Sequence, residues 1–245
     1  SSAYSELKPT ERLFDKDQAL SQFNAKVILC EPVRDQADSS EPAWSVILDR
    51  TGFYPESGGQ LCDQGKLEDA NVLHVGINEG VIIHTVDRPL AQGPITGKID
   101  QFRRDQISQH HTSVHIVGGS AREILGSHIW QAGSYKSEQL ARLDITHFSR
   151  LTRDQLDEIE DHANTIVTEN RRVLTTVLDR ADADKEHGFS IYQGGPPKHD
   201  RIRLVEVEGH DIQACGGTHV SNTLEIGEIK IVRSSQVQDG VERLV

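Results

Sequence analysis

Two short stretches hold the residues best able to do chemistry: His111-Thr-Ser-Val-His115 and, far along the chain, Cys215-Gly-Gly-Thr-His219. Each sets two good metal ligands four positions apart. On an α-helix that spacing stacks two side chains on one face about one turn apart, close enough to grip a single ion. Three imidazoles and one thiolate make a coherent zinc set, so His111, His115, Cys215 and His219 are candidate ligands for Zn2+. The chain has twelve histidines, so neither pair is diagnostic alone, and the reading rests on the two together.

Four permanent protein ligands would make a structural clip, whereas three with an open position would make a Lewis acid. Structural sites favour closely spaced, cysteine-rich pairs. Here histidine dominates and the first pair falls on a predicted helix, which favours a working site. Zinc with an open position lowers the pKa of water towards about 7, so hydrolysis of an ester or amide is the natural reaction class. His110 faces about 100° away from its neighbour on a helix and reads as a surface or supporting residue. His147, in Arg142-Leu-Asp-Ile-Thr-His147, reads as either substrate-facing or structural.

Composition bounds the partners. The chain has 245 residues, 36% of them apolar, and a formal charge of −12. That suits one large globular domain or two of ordinary size. No apolar run approaches the roughly 18–20 residues of a membrane span, and no signal-type apolar core is present, so no membrane partner is expected. Cys30, Cys62 and Cys215 are too few and scattered for a disulfide framework, which makes a reducing cytoplasm the expected compartment. Cys30 and Cys62 read as inert core thiols. The net negative charge weighs against a nucleic acid, whose phosphates are met by Lys and Arg. Local basic groups at Arg103-Arg104, at Arg171-Arg172 and at Lys198, Arg201 and Arg203 leave that partner open. The lack of any methionine, even at position 1, points to a segment of a longer protein or to methionines replaced and left out of the sequence.

The elements that must position the ligands fall into two regimes. Residues 1–22 are polar, contain Pro9 and read as a linker or arm with a short helix at 17–22. Strand candidates follow at 23–31, 44–48, 71–75, 81–86 and 95–100, with a polar loop at 35–42 and a hairpin turn at Asn78-Glu-Gly80. Short strands broken by turn residues argue for a small barrel or sandwich over 23–103. Within it, Thr51 to Gln60 is too rich in glycine and proline for a regular element, and Gly58-Gly59 permits close backbone approach to a ligand.

From about Arg104 the apolar spacing turns helical, through Ile107, Val114, Val117, Ala121 and Ile124, and carries His111 and His115 on a helix over 104–125. Gly118-Gly119 inside it costs roughly 1 kcal/mol per glycine, so either something approaches closely there or the helix breaks. Thr152 with Gln155 forms a capping-box start for a helix over 152–170. Strands at 173–178, 202–207, 225–232 and 241–245, a short helix at 181–187 and a turn at Gly194-Gly-Pro-Pro197 lack strict βαβ alternation. The expected fold class is α+β: an N-terminal small β-barrel followed by a mixed α/β zinc-binding domain over 104–245.

The run Leu48-Asp-Arg-Thr-Gly-Phe-Tyr-Pro-Glu-Ser-Gly-Gly-Gln60, with Asp63 and Gly65 after it, resembles the N-terminal signature of alanyl-tRNA synthetase editing domains and their free-standing AlaX relatives. His111-Thr-Ser-Val-His115, Arg142-Leu-Asp-Ile-Thr-His147 and Ala214-Cys-Gly-Gly-Thr-His-Val220 agree in order, so the resemblance runs over nearly the whole chain from Glu11. Ile129-Trp-Gln-Ala-Gly133, Tyr192-Gln-Gly-Gly195 and Asp239-Gly-Val-Glu-Arg243 are most similar to the archaeal type, whose editing domain sits inside a longer polypeptide.

The resemblance implies hydrolysis of tRNA(Ala) mischarged with serine or glycine, by a zinc site beside a small barrel. It implies that His111, His115, Cys215 and His219 hold Zn2+, that Thr51 meets the serine hydroxyl, and that Gln60 lines the same pocket. Cys215 and Gln60 are thereby the expected catalytic positions, Thr51 and Gln60 the substrate-binding ones. The partners implied are the acceptor end of tRNA(Ala) and the rest of a longer synthetase chain, with a local basic strip expected near the mouth of the site. Ser57-Gly58-Gly59 departs from the three-glycine run of many members, and His110 stands where many carry Asn. Two other readings stay open: a zinc hydrolase of another small ester or amide, and a tRNA acceptor-end binding module with a structural zinc.

Overall fold

Phe23, Ala25 and Val27 alternate with Gln22, Asn24 and Lys26, and this period of two buries one set while exposing the other. The segment therefore forms a strand with one wet face, Gln22–Pro32, which pairs antiparallel with Trp44–Leu48. These positions come from a computed structural model that describes residues 4, 6–33, 42–193, 195 and 200–245. Most of the expected 35–42 loop, most of the 194–197 turn, Lys198 and His199 lie outside the described residues.

The chain folds as two units, one of residues 1–57 and 61–105, the other of 58–60 and 106–245. In the first, hydrogen-bonded pairing runs from Gln22–Pro32 through Trp44–Leu48, Val81–Val86, Ala70–Asn78, Gly65–Leu67 and Gly93–Ile99 back to Gln22–Pro32, closing a barrel. Phe23, Val46, Phe53, Leu67, Val75 and Ile82 pack in its core. The helix expected at 17–22 is absent. Asp17 Oδ1 accepts the Ala19 amide at 3.0 Å, a local side-chain bond that competes with helical pairing. Just before it, Glu11–Arg12 pairs with Arg50–Thr51, and one 3-10 turn, Leu13–Asp15, seats Phe14 in the core.

Arg104, one of the basic residues that left a phosphate partner open, belongs to this unit's interior at 2% exposure. Its Nε meets Asp63 at 3.0 Å, Nη1 donates to the Gln18 carbonyl at 2.9 Å and Nη2 to the Gly52 carbonyl at 2.7 Å. A buried guanidinium tolerates desolvation only with such a full set of partners.

In the second unit, α1 (Gln101–Leu125, entering from residue 106) runs unbroken through Gly118-Gly119. The close neighbour is His210: a β-carbon on Gly119 would stand 2.6 Å from its Nε2, which instead bonds the Ile116 carbonyl at 2.9 Å. One sheet of the unit orders Ser234–Gln238, Val241–Leu244, Ala141–Thr146 and Gln131–Lys136. α2 (Arg153–Thr168) starts at Thr152 with both capping-box bonds formed and buries Ile159, Ala163, Ile166 and Val167. Val173–Asp179, Arg201–Val207 and Asp211–Ala214 make a three-stranded sheet, with α3 (Arg180–His187) between its first two strands in sequence. The mixture of strands and helices is the α+β class expected.

The strand expected at 225–232 is not one. Thr223–Ile226 is a single 3-10 turn. Ile229 and Ile231 do bury alternately, but their amides bond Asn164 Oδ1 and Glu160 Oε2, each at 2.8 Å, on α2 and not on a neighbouring strand.

Candidate metal centre

His111 and His115 sit one turn apart on α1, both buried. The Cys215–His219 turn follows the strand Asp211–Ala214 and is laid out by Arg203. The Arg203 carbonyl accepts the Cys215 amide at 3.0 Å, and its Nη1 donates to the carbonyls of Cys215 and Gly217 at 2.7 and 3.0 Å. The result brings one ligand atom from each of His111, His115, Cys215 and His219 within 4.8 Å of one another. Cys215 Sγ lies 3.4 Å from His111 Nε2 and 3.4 Å from His219 Nε2. A tetrahedral zinc with Zn–S near 2.3 Å and Zn–N near 2.05 Å separates sulfur from nitrogen by about 3.5 Å, so the donor set fits that ion.

The hydrogen bonds around the rings fix their tautomers. Gln60 Oε1 accepts from His111 Nδ1 at 2.8 Å and from the Thr218 amide at 3.0 Å, and that amide, which can only donate, determines which end of the Gln60 side chain faces it. Thr112 donates its hydroxyl to the Ser108 carbonyl at 3.0 Å, so at 3.0 Å from His219 Nδ1 it can only accept. His115 Nδ1 faces Asp211 Oδ2 at 3.5 Å. Each imidazole thus has its Nδ1 turned to an acceptor; the bonds made by His111 and His219 leave their Nε2 with the lone pair a metal needs, and His115 is oriented the same way towards a carboxylate.

Electrostatics suit a cation. Burial holds His111 well below the usual histidine range and His219 down to about 4. Burial pushes the Cys215 thiol up, but His111 and His219 outweigh it and bring it well below its ordinary value. Burial also opposes charge on His115, yet Asp211 and Cys215 together raise it to about 9. A metal ion at Nε2 would take that proton's place.

Gln60 lies in the second unit with these ligands, nearly fully buried; its Nε2 donates to Thr218 Oγ1 at 2.9 Å. The Gly58–Gln60 loop is docked on the strand Gln131–Lys136, with the Lys136 amide bonding the Gly59 carbonyl at 2.7 Å. Thr51 lies in the first unit, fully buried, 2.8 Å from His84 Nε2. His110 turns to the Ser137 carbonyl at 2.7 Å, and His147 pairs with His128 at 2.9 Å outside the cluster. Cys62 is a core thiol raised by burial.

Sequence reasoning missed Asp211, Thr112, His84 and Lys136. The ammonium of Lys136 is buried against the Gly58 carbonyl and Ser134 Oγ at 3.0 and 2.7 Å, and burial brings its pKa down to about 8. No local pattern marked it, since its strand, Gln131–Lys136, has no β-branched residues. Several of the basic groups singled out in sequence have acidic or structural partners. Arg171 pairs with Glu169, Arg172 with Glu208 and Arg201 with Asp179, while Arg203 serves the ligand turn.

Two family models match the chain. One, tRNA synthetases class II (A), covers residues 1–102; the other, the threonyl and alanyl tRNA synthetase second additional domain, covers residues 202–245 and so includes Cys215 and His219. The alanine–tRNA ligase of Halorubrum lacusprofundi is 43% identical over 247 residues, covering 99% of this chain and 26% of the relative. That of Ignicoccus hospitalis is 43% identical over 241 residues, 96% of this chain and 26% of the relative. That of Pyrococcus furiosus is 44% identical over 247 residues, 98% of this chain and 26% of the relative. The chain therefore spans about a quarter of the length of the curated relatives it matches. Among the described residues no helix is long and apolar enough to cross a membrane.

Proposed function

We propose that this chain, which belongs to the alanine–tRNA ligase family and spans 26% of the curated relatives it matches, carries a zinc-dependent editing activity, the hydrolysis of serine or glycine wrongly attached to tRNA(Ala). The observation that carries this reading is the convergence of four ligand atoms whose three rings are all set to present Nε2. The selective need is physical. A pocket built for alanine cannot exclude glycine by size and rejects serine only weakly through one added hydroxyl, so a second, destructive site supplies the missing discrimination.

Zinc bound there would polarise the aminoacyl ester carbonyl or hold the substrate amine. Cys215, as a thiolate, would supply charge to hold the ion. Gln60 acts through His111, whose Nδ1 it holds, and has a second Nε2 hydrogen to offer a substrate. Thr51 is assigned to the serine hydroxyl by resemblance, and its hydrogen bonds support that role. His84 Nδ1 faces the Val46 carbonyl at 3.1 Å and must donate to it, so neutral His84 Nε2 accepts the Thr51 hydroxyl proton. The Phe53 amide takes one Thr51 lone pair at 3.1 Å, and the other can only accept, so a substrate hydroxyl would meet Thr51 as a donor.

The convergence of four protein ligands also favours a second reading, a permanently closed structural zinc in a module that binds the acceptor end of tRNA. Incubation of the chain with Ser-, Gly- and Ala-tRNA(Ala) separates the two. Editing requires release of serine and glycine with alanine spared, and loss of that release with the zinc in His111→Ala. Bound zinc with no release from any substrate supports the structural reading, and full release by a metal-free variant rules out a zinc-dependent reaction.

A further inference from the structure

Of the three acceptors that face the ligand rings, Gln60 and Thr112 are neutral, and only Asp211 carries charge. Asp211 opens the strand Asp211–Ala214, which leads directly into Cys215, so one short segment supplies a ligand and the counter-charge of another ligand. Its side chain is 1% exposed. Arg122 Nη1 meets Oδ1 at 3.1 Å and Gln213 Nε2 donates to Oδ2 at 2.7 Å, so the carboxylate is clamped from two sides. Arg122 lies two turns along α1 from His115, and its Nε also reaches towards the Ile129 carbonyl at 3.4 Å. Among the described residues His115 Nδ1 has no well-formed hydrogen bond, and the carboxylate 3.5 Å away is the group it faces.

We propose that Asp211, held by Arg122 and Gln213, is a positioning residue for the metal: it takes the Nδ1 hydrogen of His115 and thereby directs Nε2 to the ion. The inference rests on the zinc reading of the centre. A ring whose Nε2 is bound to a cation becomes a stronger donor at Nδ1, so a carboxylate there gains more from metal binding than an amide or hydroxyl would. Charge points the same way. The Cys215 thiolate and Asp211 carboxylate together balance a divalent cation, and Arg122, on the other carboxylate oxygen, keeps Asp211 from turning to the metal itself.

Competition for zinc against a chromophoric chelator tests this on the whole chain. Asp211→Asn, which keeps the shape and removes the charge, is expected to weaken zinc binding roughly 10- to 100-fold and to speed zinc release, with the His111 and His219 contacts unaltered. Should that variant misfold around an unpaired Arg122, the double variant Asp211→Asn/Arg122→Gln removes both charges and is expected to show the same loss. Wild-type chain that binds zinc tightly, with both variants equal to it in affinity and release rate, overturns the role of Asp211 alone. A wild-type chain that binds no zinc overturns the metal centre and this inference with it.

Discussion

Gly217 lies so close to His111 that a β-carbon on it would stand 2.1 Å from Cε1 and 2.3 Å from Nδ1 of that ring, and 2.6 Å from Gln60 Oε1. Its neighbour Gly216 has open space at the same position. The two adjacent glycines therefore do different work, and the ligand turn depends on the second.

Gly217→Ala is expected to push His111 off Gln60 and to abolish tight metal binding, while Gly216→Ala leaves it within about 0.5 kcal/mol of wild type, the usual range for a change that meets nothing. Metal content of the two purified variants decides the matter. Equal metal in both would show that the turn relaxes around a methyl group.

The buried His84 gives the first unit a pH dependence. Burial lowers its pKa from 6.5 to about 4, against the hydrogen bond to Val46, which favours the charged ring. The unfolded chain then binds the extra proton between those values. The contribution to stability is full above pH 6.5 and is lost as pH falls towards 4, an effect of about 3 kcal/mol. Urea unfolding at several pH values should show a shallower acid loss in His84→Gln than in wild type. Parallel curves would place the acid sensitivity elsewhere.

Thr51→Val keeps the shape of the side chain and removes the lone pair available to a substrate hydroxyl. Hydrolysis of Ser-tRNA(Ala) is expected to fall relative to Gly-tRNA(Ala), which has no hydroxyl to read, by up to about tenfold for one neutral hydrogen bond. A uniform change on both substrates would assign Thr51 to packing, through its bond to His84.

The clustering of the candidate ligands was legible because their spacing is itself the signal: His111 and His115 share a helix face whatever that helix packs against. The barrel strands were legible for a similar reason, since alternation such as Phe23, Ala25, Val27 reports one buried face. Gln131–Lys136 was missed because Gln-Ala-Gly-Ser-Tyr-Lys has neither alternation nor β-branched residues, and its strand form comes from pairing with Ala141–Thr146. The extended run with Ile229 and Ile231 deceived in the opposite direction. It has a strand's pattern, but its amides are satisfied by two side chains of α2.

The supporting residues of the site were illegible for a different reason. Asp211 and Thr112 are ordinary polar residues whose roles arise from where the fold points them, and no local pattern distinguishes them. The paired arginines show the same limit. In sequence Arg103-Arg104 and Arg171-Arg172 are basic clusters, but Arg104 is consumed by Asp63 and Arg172 by Glu208.

The claim on which the rest depends is that His111, His115, Cys215 and His219 hold one zinc ion, and substitution with Co2+ reads the donor set directly. One equivalent of Co2+ per chain should bind with a sulfur-to-metal charge-transfer band and the intense visible bands of a tetrahedral site, and Cys215→Ser should lose the charge-transfer band. A chain that binds no Co2+ or Zn2+ stoichiometrically, or that shows the same spectrum with and without Cys215, would contradict it.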